Sequence, residues 1–132
     1  MLFRSMGREK TYASELTQEI INNINELLDK VNALLFSLGV KQASVTSGWR
    51  PAAINSQTAN AAKKSLHMTG KAVDILDDAN QSLAKAILTN PELLTRYGLW
   101  MEDMGSTKGQ NTNWVHLDTG TRKDRALRVF KP

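Results

Sequence analysis

Two histidines and one aspartate form the chemically most informative set in this sequence. His67 and His116 are the only histidines in the chain, and Asp74 follows His67 by seven residues. Zinc binds imidazole nitrogen and carboxylate oxygen, and a catalytic zinc site has three protein ligands and one open position. These three residues therefore predict a zinc site that could activate water. A single histidine on a strand is more often structural than a metal ligand, so spacing alone leaves both interpretations open.

Glu102 and Arg50 are the candidates for the remaining steps of such a reaction. A carboxylate beside the metal can take a proton from water and pass it to a leaving amine, which is the role predicted for Glu102. The planar guanidinium of Arg50 suits the binding of a substrate carboxylate better than an ammonium group would. Each residue also has an ordinary alternative, because an isolated Glu is usually solvated and an isolated Arg usually forms a surface ion pair.

Strand periodicity explains how two of these residues would meet. Strands are predicted over residues 71–76 and 114–118, and side chains along a strand point alternately to its two faces. The apolar members of both strands must face the core, and they are Val73, Ile75, Val115 and Leu117. Asp74 and His116 then share the opposite face of the sheet, provided that the two strands pair.

Two further segments would bring other members of the set to this surface. A third predicted strand, 98–103, carries Glu102, which alternation can place on the same face of the sheet. His67 is predicted to lie on a turn, because Gly70 and the β-branched residues that follow it disfavour a helix there. Such a turn would fold His67 back beside Asp74.

The remaining elements supply the core. Apolar residues recur at intervals of three and four over residues 13–38, which predicts a core-facing helix with Ser14 as N-cap and Gly39 as its end. The other predicted elements are a strand over 44–47, a short helix over 51–57, a loop over 58–66, a helix over 79–89 with Asp77 or Asp78 as N-cap, a helical turn after Pro91, a loop over 104–113 and a last strand over 126–130. This order is typical of an α+β fold with a small antiparallel sheet packed on helices.

Composition limits the classes of protein to which the chain can belong. Its 132 residues, 41% hydrophobic and 23% charged, are typical of one folded domain, so residues 1–132 are predicted to form a single domain. The absence of cysteine excludes disulfides, thiol catalysis and cysteine-ligated metal sites. No apolar run approaches the roughly 20 residues of a membrane helix, and the N-terminus has no apolar signal segment. We therefore expect cytoplasmic synthesis without a signal peptide, and no membrane partner.

Three sequence elements resemble a known family. Residues 65–75 (SLHMTGKAVDI) fit the pattern S-x-H-x-x-G-x-A-x-D-[IL]. They lie between an SGWRP element at 47–51, followed by Asn55, and a WVHLD element at 114–118. In this order the elements resemble the zinc D-Ala-D-Ala carboxypeptidase family, peptidase family M15, which is related in structure to the hedgehog signalling domain. The resemblance covers about residues 44–118 and implies a hedgehog-like zinc peptidase fold.

The resemblance implies a role for each matching residue. His67, Asp74 and His116 match the zinc ligands of the family. Arg50 matches the arginine that binds substrate and polarises the scissile carbonyl, and Ser65 matches a serine that lines the site or supports the first ligand. Two small residues of the central motif would allow close approach of the backbone, and they are Gly70 and Ala72.

One position departs from the family pattern. Many members carry the general base as Glu or Asp three residues before the last histidine, where this chain has Asn113, which cannot accept a proton. The branch that includes the hedgehog domain takes this carboxylate from the preceding strand, an arrangement that Glu102 resembles. Asp103 is the alternative, although alternation points its side chain the other way. Catalysis therefore depends on the position of Glu102.

The resemblance also implies a substrate. Members hydrolyse peptide bonds in peptidoglycan stem peptides, either by removing a terminal D-Ala or by cutting an internal bond such as L-Ala–D-Glu, and some serve as phage endolysins. We therefore expect a monomeric zinc metallopeptidase that acts at the bacterial cell wall. Its net charge of +4 suits an anionic wall. Trp114, with Trp49 and Trp100, would either line the substrate cleft or pack in the core.

Two other classes of function remain open. A non-catalytic zinc-containing binding or virion structural module of the same fold would explain Asn113, and it predicts bound zinc without hydrolysis. A nucleic-acid-binding domain would explain the net charge and the basic residues near the C-terminus, which are Arg122, Lys123, Arg125, Arg128 and Lys131. That class leaves the pattern of histidines and aspartates unexplained, so no nucleic acid partner is expected.

Overall fold

The computed structural model describes residues 13–51, 54–55, 65–123 and 125–132. They form a five-stranded sheet with the strand order β1–β2–β4–β3–β5. The strands are β1 (Val45–Ser47), β2 (Ala72–Asp77), β3 (Trp100–Glu102), β4 (Asn113–Asp118) and β5 (Val129–Phe130). The helices are α1 (Gln18–Ser37), α2 (Ser82–Thr89) and α3 (Glu92–Tyr97), and 3₁₀ turns lie at Ala13–Glu15, Leu66–Thr69 and Met104–Ser106. The α+β prediction is confirmed.

Helix α1 supplies one side of the core. Its buried apolar residues are Ile24, Leu27, Leu28, Val31, Leu34 and Leu35. The helix begins at Gln18 because the hydroxyl of Thr17 accepts the backbone N–H of Ile20 at 3.2 Å. The prediction of Ser14 as N-cap is wrong, since Ser14 lies in the preceding 3₁₀ turn. Gly39 follows the end of the helix as predicted, with a φ of 73°.

The sheet follows the predicted alternation. Strands β2 and β4 are antiparallel neighbours, and their register pairs Asp74 with His116. The apolar side chains of these strands are buried in the core that the sheet shares with the helices, and they are Val73, Ile75, Val115 and Leu117. The described pairings are antiparallel except for β3 with β5, which is parallel. The last strand is also shorter than the predicted range of 126–130.

Two aspartates at the end of β2 start helix α2. Oδ1 and Oδ2 of Asp77 accept the backbone N–H groups of Leu83 at 2.9 Å and Ala84 at 3.0 Å. Oδ1 of Asp78 accepts the N–H of Ser82 at 2.9 Å. Both aspartates therefore bind the first turn, where a carboxylate is favoured by the helix dipole. The prediction of either one as the N-cap residue is nevertheless wrong, because the helix begins at Ser82 rather than at residue 79 and its N-cap is Gln81.

The other predicted segments agree in part with the structure. Helix α3 is the predicted additional helical segment, although it is six residues long. Of the short helix predicted over 51–57, residues 54–55 are helical. Residues 52–53, and 56–64 with most of the predicted loop, lie outside the described part of the chain. The loop predicted over 104–113 contains a 3₁₀ turn, and its last residue already belongs to β4.

Candidate metal centre

A short turn carries His67 into the site. The hydroxyl of Ser65 accepts the backbone N–H of His67 at 3.2 Å and so caps the 3₁₀ turn Leu66–Thr69. Nδ1 of His67 lies 3.0 Å from the carbonyl oxygen of Gly48. Because a carbonyl oxygen only accepts hydrogen bonds, Nδ1 is the donor and Nε2 is directed at Asp74, with 3.3 Å between Nε2 and Oδ2.

Gly70 allows this turn to lie directly on helix α1. Its φ is 75°, a conformation that residues with a side chain rarely adopt. A Cβ at this position would lie 2.7 Å from Cγ1 of Ile24 and 2.8 Å from the backbone oxygen of Ile20. At the same contact, the side-chain amide of Asn23 donates to the carbonyl oxygen of Thr69 at 3.0 Å. The turn that carries the first histidine is therefore anchored on the core helix.

Asp74 lies between the two histidines. Its Oδ2 is 3.3 Å from Nε2 of His67, and its Oδ1 is 2.9 Å from Nδ1 of His116. The centroids of the two imidazole rings are 5.4 Å apart. One candidate ligand atom from each residue lies within 4.8 Å of the other two. The structure thus brings together the three residues that the sequence predicted as metal ligands.

Glu102 lies on the other side of His116. Strands β3 and β4 are antiparallel, and Met101 pairs with Leu117. The following residue of β3, Glu102, therefore lies across from the preceding residue of β4, His116. Oε2 of Glu102 is 3.9 Å from Nδ1 of His116. Three neighbouring strands therefore present a row of titratable side chains that runs from Asp74 through His116 to Glu102.

The side chains at the two other positions considered for a general base, Asp103 and Asn113, are directed away from the two histidines. Oδ1 of Asp103 accepts the hydroxyl of Ser106 at 2.6 Å. The side-chain amide of Asn113 donates to the backbone oxygen of Asp78 at 3.1 Å. Alternation along β4 also puts Asn113 on the face opposite to His116. Among these candidates, Glu102 is the residue beside the histidine.

The charges of the site shift one another's pKa values. Burial alone would raise the pKa of Asp74, but hydrogen bonds from His116 and His67 hold it below its usual value. Burial alone would lower the pKa of His116, but hydrogen bonds to Asp118 and Asp74 raise it to about 9. Burial raises the pKa of Glu102 above the usual glutamate value. Without a metal, the centre is therefore an ionised aspartate next to a protonated imidazole.

Arg50 is attached to the turn that carries His67. Its backbone N–H donates to the carbonyl oxygen of His67 at 3.0 Å. Its Nη2 donates to the hydroxyl oxygen of Ser65 at 3.0 Å, the same oxygen that accepts the backbone N–H of His67. Ser65 therefore both supports the first histidine and orients the arginine.

The three tryptophans differ in exposure. Trp49 and Trp100 are each 1% exposed, so they belong to the interior rather than to an open cleft. The indole N–H of Trp49 donates to the carbonyl oxygen of Met68 at 3.2 Å. Trp114 is half-buried, and alternation along β4 puts it on the same face as His116. Of the three, Trp114 is the one with a partly exposed side chain on the face of the site.

Two residues next to the site were not identified from the sequence. Oδ2 of Asp118 is 2.7 Å from Nε2 of His116, and both terminal nitrogens of Arg122 donate to the Asp118 carboxylate. Asp118 could have been found, because it follows His116 by two residues on the same face of a strand. No periodicity indicates Arg122, which lies in an irregular segment after β4.

The donor atoms fit a zinc ion. The carbonyl of Gly48 and the carboxylate of Asp118 engage one nitrogen of each imidazole, which leaves Nε2 of His67 and Nδ1 of His116 facing Asp74. Zinc–ligand distances of about 2.0 Å in a tetrahedron put neighbouring ligand atoms about 3.3 Å apart. Oδ2 of Asp74 lies 3.3 Å from Nε2 of His67, and its other oxygen, Oδ1, lies 2.9 Å from Nδ1 of His116, so each nitrogen is close to that distance from one carboxylate oxygen.

The fold and the site define an α+β protein with a candidate metal centre of two histidines and one aspartate. A family model described as peptidase M15 matches residues 4–118. Because the match covers most of the chain, the protein belongs to the peptidase M15 family, and the predicted family is confirmed. No curated protein and no solved structure matches the chain.

Proposed function

We propose that this peptidase is a zinc metallopeptidase that hydrolyses peptide bonds in peptidoglycan stem peptides. One observation carries the proposal. In a chain of the M15 family, which is in general zinc-dependent, His67, Asp74 and His116 offer ligand atoms within 4.8 Å of one another. A structural zinc site usually has four protein ligands, whereas three ligands leave the position that a catalytic site needs. The position of Glu102 beside His116 supports the catalytic interpretation.

The chain's own residues would carry the proton transfers. Zinc held by the two histidines and Asp74 would supply a Lewis acid that lowers the pKa of water to near neutrality. Glu102 would accept a proton from the attacking water and deliver it to the leaving amine. Burial raises the pKa of Glu102, which suits a group that must first accept a proton and then donate it.

Arg50, Ser65 and Trp114 would bind the substrate. The guanidinium of Arg50, held by the hydroxyl of Ser65 at 3.0 Å, would orient a substrate carbonyl or carboxylate. It would also stabilise the negative charge that develops on the carbonyl oxygen. The partly exposed ring of Trp114 would offer an apolar surface to the stem peptide.

The substrate and the place of action follow from the family resemblance. The bond would be either the terminal D-Ala-D-Ala bond or an internal L-Ala–D-Glu bond. A net charge of +4 favours binding to an anionic wall polymer. Within the described ranges, no helix is long and apolar enough to cross a membrane. The protein would act as a monomer at the bacterial cell wall after cytoplasmic synthesis, as phage endolysins do.

A non-catalytic zinc-containing module, for binding or for virion structure, is the second candidate. Asn113 is the observation that favours it, because many members of the family carry the base at that position. Asn113 is engaged with the backbone of Asp78, whereas Glu102 lies 3.9 Å from His116. The base position therefore supports catalysis through Glu102.

Nucleic acid binding has less support. Among the basic residues near the C-terminus, Arg122 is paired with Asp118. Arg128 donates to the backbone oxygen of Leu99 at 2.9 Å and lies over the ring of Trp100. These two side chains are therefore engaged within the protein rather than directed outward as a phosphate-binding surface.

Digestion of purified peptidoglycan tests the proposal. Zinc-loaded wild-type protein and the Glu102→Gln variant would be incubated with peptidoglycan, and the released fragments would be identified by mass spectrometry. We expect the wild type to cut one type of stem-peptide bond, and the variant to retain zinc without cutting. Wild-type protein that binds zinc but releases no fragment would favour the non-catalytic module.

A further inference from the structure

Residues 119–132, here called the C-terminal segment, lie beyond the range matched by the family. After β4 this segment returns to the sheet as β5, which pairs in parallel with β3 and places Phe130 opposite Glu102. The ring centroid of Phe130 is 5.8 Å from that of His116. Side chains from outside the matched range therefore reach the candidate metal centre.

Asp118 uses both of its oxygens to accept hydrogen bonds. Oδ1 accepts one hydrogen bond from Nη1 of Arg122 at 2.5 Å and another from the backbone N–H of Gly120 at 3.0 Å. Oδ2 accepts a hydrogen bond from Nη2 of Arg122 at 3.0 Å and lies 2.7 Å from Nε2 of His116. Asp118 is 0% exposed, and an ionised carboxylate in this environment can only accept. The proton between Asp118 and the imidazole therefore belongs to Nε2 of His116.

Arg122 is in turn held by two aromatic rings, one on β3 and one on β5. Its guanidinium lies 3.7 Å from the ring centroid of Phe130 and 5.5 Å from that of Trp100, distances at which cation–π attraction operates. A planar guanidinium with two donors on one carboxylate also fixes the orientation of that carboxylate. The contacts thus form a chain from Phe130 through Arg122 and Asp118 to His116.

We propose that Asp118 and Arg122 are positioning residues that hold His116 with its proton on Nε2, so that Nδ1 is the nitrogen offered to the metal. This inference rests on the proposed function, since it assigns a purpose to the orientation of a metal ligand. Carboxylates that accept the second ring proton of a metal-binding histidine set its tautomer, and their loss typically weakens metal binding about 10- to 100-fold. Arg122 acts one step further away, so its replacement should have a smaller effect in the same direction.

A stabilising ion pair is the alternative explanation of the same contacts, and it makes different predictions. A buried pair that only stabilised the fold would lower the melting temperature when broken. It would leave the zinc affinity of the folded protein and the ring proton of His116 unchanged. Zinc affinity and the tautomer of His116 therefore separate the two explanations, and His67, which holds its proton on Nδ1, serves as an internal reference.

The test compares Asp118→Asn and Arg122→Gln with two matched controls. Asp29→Asn and Lys123→Gln make the same charge changes at exposed positions. Zinc affinity would be measured by competition with a chromogenic chelator, and the ring protons by ¹H–¹⁵N spectra of the histidines. Circular dichroism would confirm that each variant is folded. If Asp118→Asn does not fold, Arg122→Gln, with its partly exposed side chain, carries the test alone.

We expect the zinc-loaded wild type to hold the His116 proton on Nε2. In Asp118→Asn, zinc affinity should fall about 10- to 100-fold and the His116 ring signals should change while those of His67 do not. Folded variants that keep wild-type zinc affinity and unchanged His116 signals would overturn the proposal, as would a wild-type proton on Nδ1.

Zinc binding and hydrolysis, measured on the same wild-type protein, separate this proposal from the proposed function. Zinc-loaded protein that holds the His116 proton on Nε2 but cuts no peptidoglycan would support the orienting contacts and contradict the proposed metallopeptidase. Zinc-loaded protein that cuts peptidoglycan with the His116 proton on Nδ1 would overturn the positioning role and support the proposed function. A wild type that binds no zinc would overturn both.

Discussion

The metal-free protein should lose stability as the pH rises from 6.5 to about 9. The two ring nitrogens of His116 lie 2.9 Å from Asp74 and 2.7 Å from Asp118, and these carboxylates raise the pKa of the ring from 6.5 to about 9. The folded state therefore binds this proton more tightly than the unfolded chain does. The resulting stabilisation is complete below pH 6.5 and is lost as the pH rises through the folded pKa.

The size of this loss follows from the two pKa values. The difference between 9 and 6.5 is about 2.5, and one pKa unit corresponds to about 1.4 kcal/mol. The free energy of unfolding should therefore fall by about 3 kcal/mol across this window. For a domain of this size, such a loss lowers the melting temperature by roughly 10 °C. The carboxylates add no opposing trend, because Asp74 and Asp118 have lowered pKa values and stay ionised throughout.

Urea unfolding in the presence of a chelator, followed by tryptophan fluorescence, measures this dependence. The His116→Gln variant is the matched control and should show no loss in the same window. With excess zinc the loss should also disappear in the wild type, because a metal-binding nitrogen cannot hold a proton. Wild-type stability that is constant or rises with pH, or an equal loss in His116→Gln, would refute the assignment of the raised pKa to His116.

Four substitutions give further predictions. Glu102→Gln should lower peptidoglycan hydrolysis about 100- to 10,000-fold without loss of zinc, as measured by fragment release and elemental analysis, and an active variant would exclude Glu102 as the base. Gly70→Ala should cost more than about 1 kcal/mol in thermal unfolding, because its Cβ would lie 2.7 Å from Ile24, and an unchanged melting temperature would contradict this. Thr17→Ala should cost about 1 kcal/mol and Ser14→Ala little, so equal losses would contradict the observed N-cap.

Alternation along two strands was sufficient to predict the centre of the site. The apolar side chains of β2 and β4 must face the core, so the positions of Asp74 and His116 on the other face follow from period two. The turn at Gly70 could be predicted because a glycine before a β-branched segment disfavours helix. These are local features, and the β2–β4 register then made Asp74 and His116 direct neighbours.

Contacts set by the path of an irregular segment could not be predicted. Nothing in the local sequence near Arg122 indicates that it reaches back to Asp118, or that β5 pairs in parallel with β3. Both depend on where the C-terminal segment crosses the sheet, and hydrophobic periodicity does not record that path. The wrong prediction of Ser14 as N-cap had a similar cause, because Ser and Thr both cap well and the 3₁₀ turn before α1 places Thr17 at that position.

Reversible dependence of peptidoglycan hydrolysis on zinc tests the metallopeptidase most directly. Chelator-treated protein would be incubated with purified peptidoglycan before and after zinc is returned, and the released stem-peptide fragments would be quantified by mass spectrometry. We expect no fragments from the metal-free protein, and cleavage of one type of peptide bond once zinc is bound by His67, Asp74 and His116. Hydrolysis that continues without metal, or its absence after zinc has bound, would contradict a metallopeptidase acting through this site.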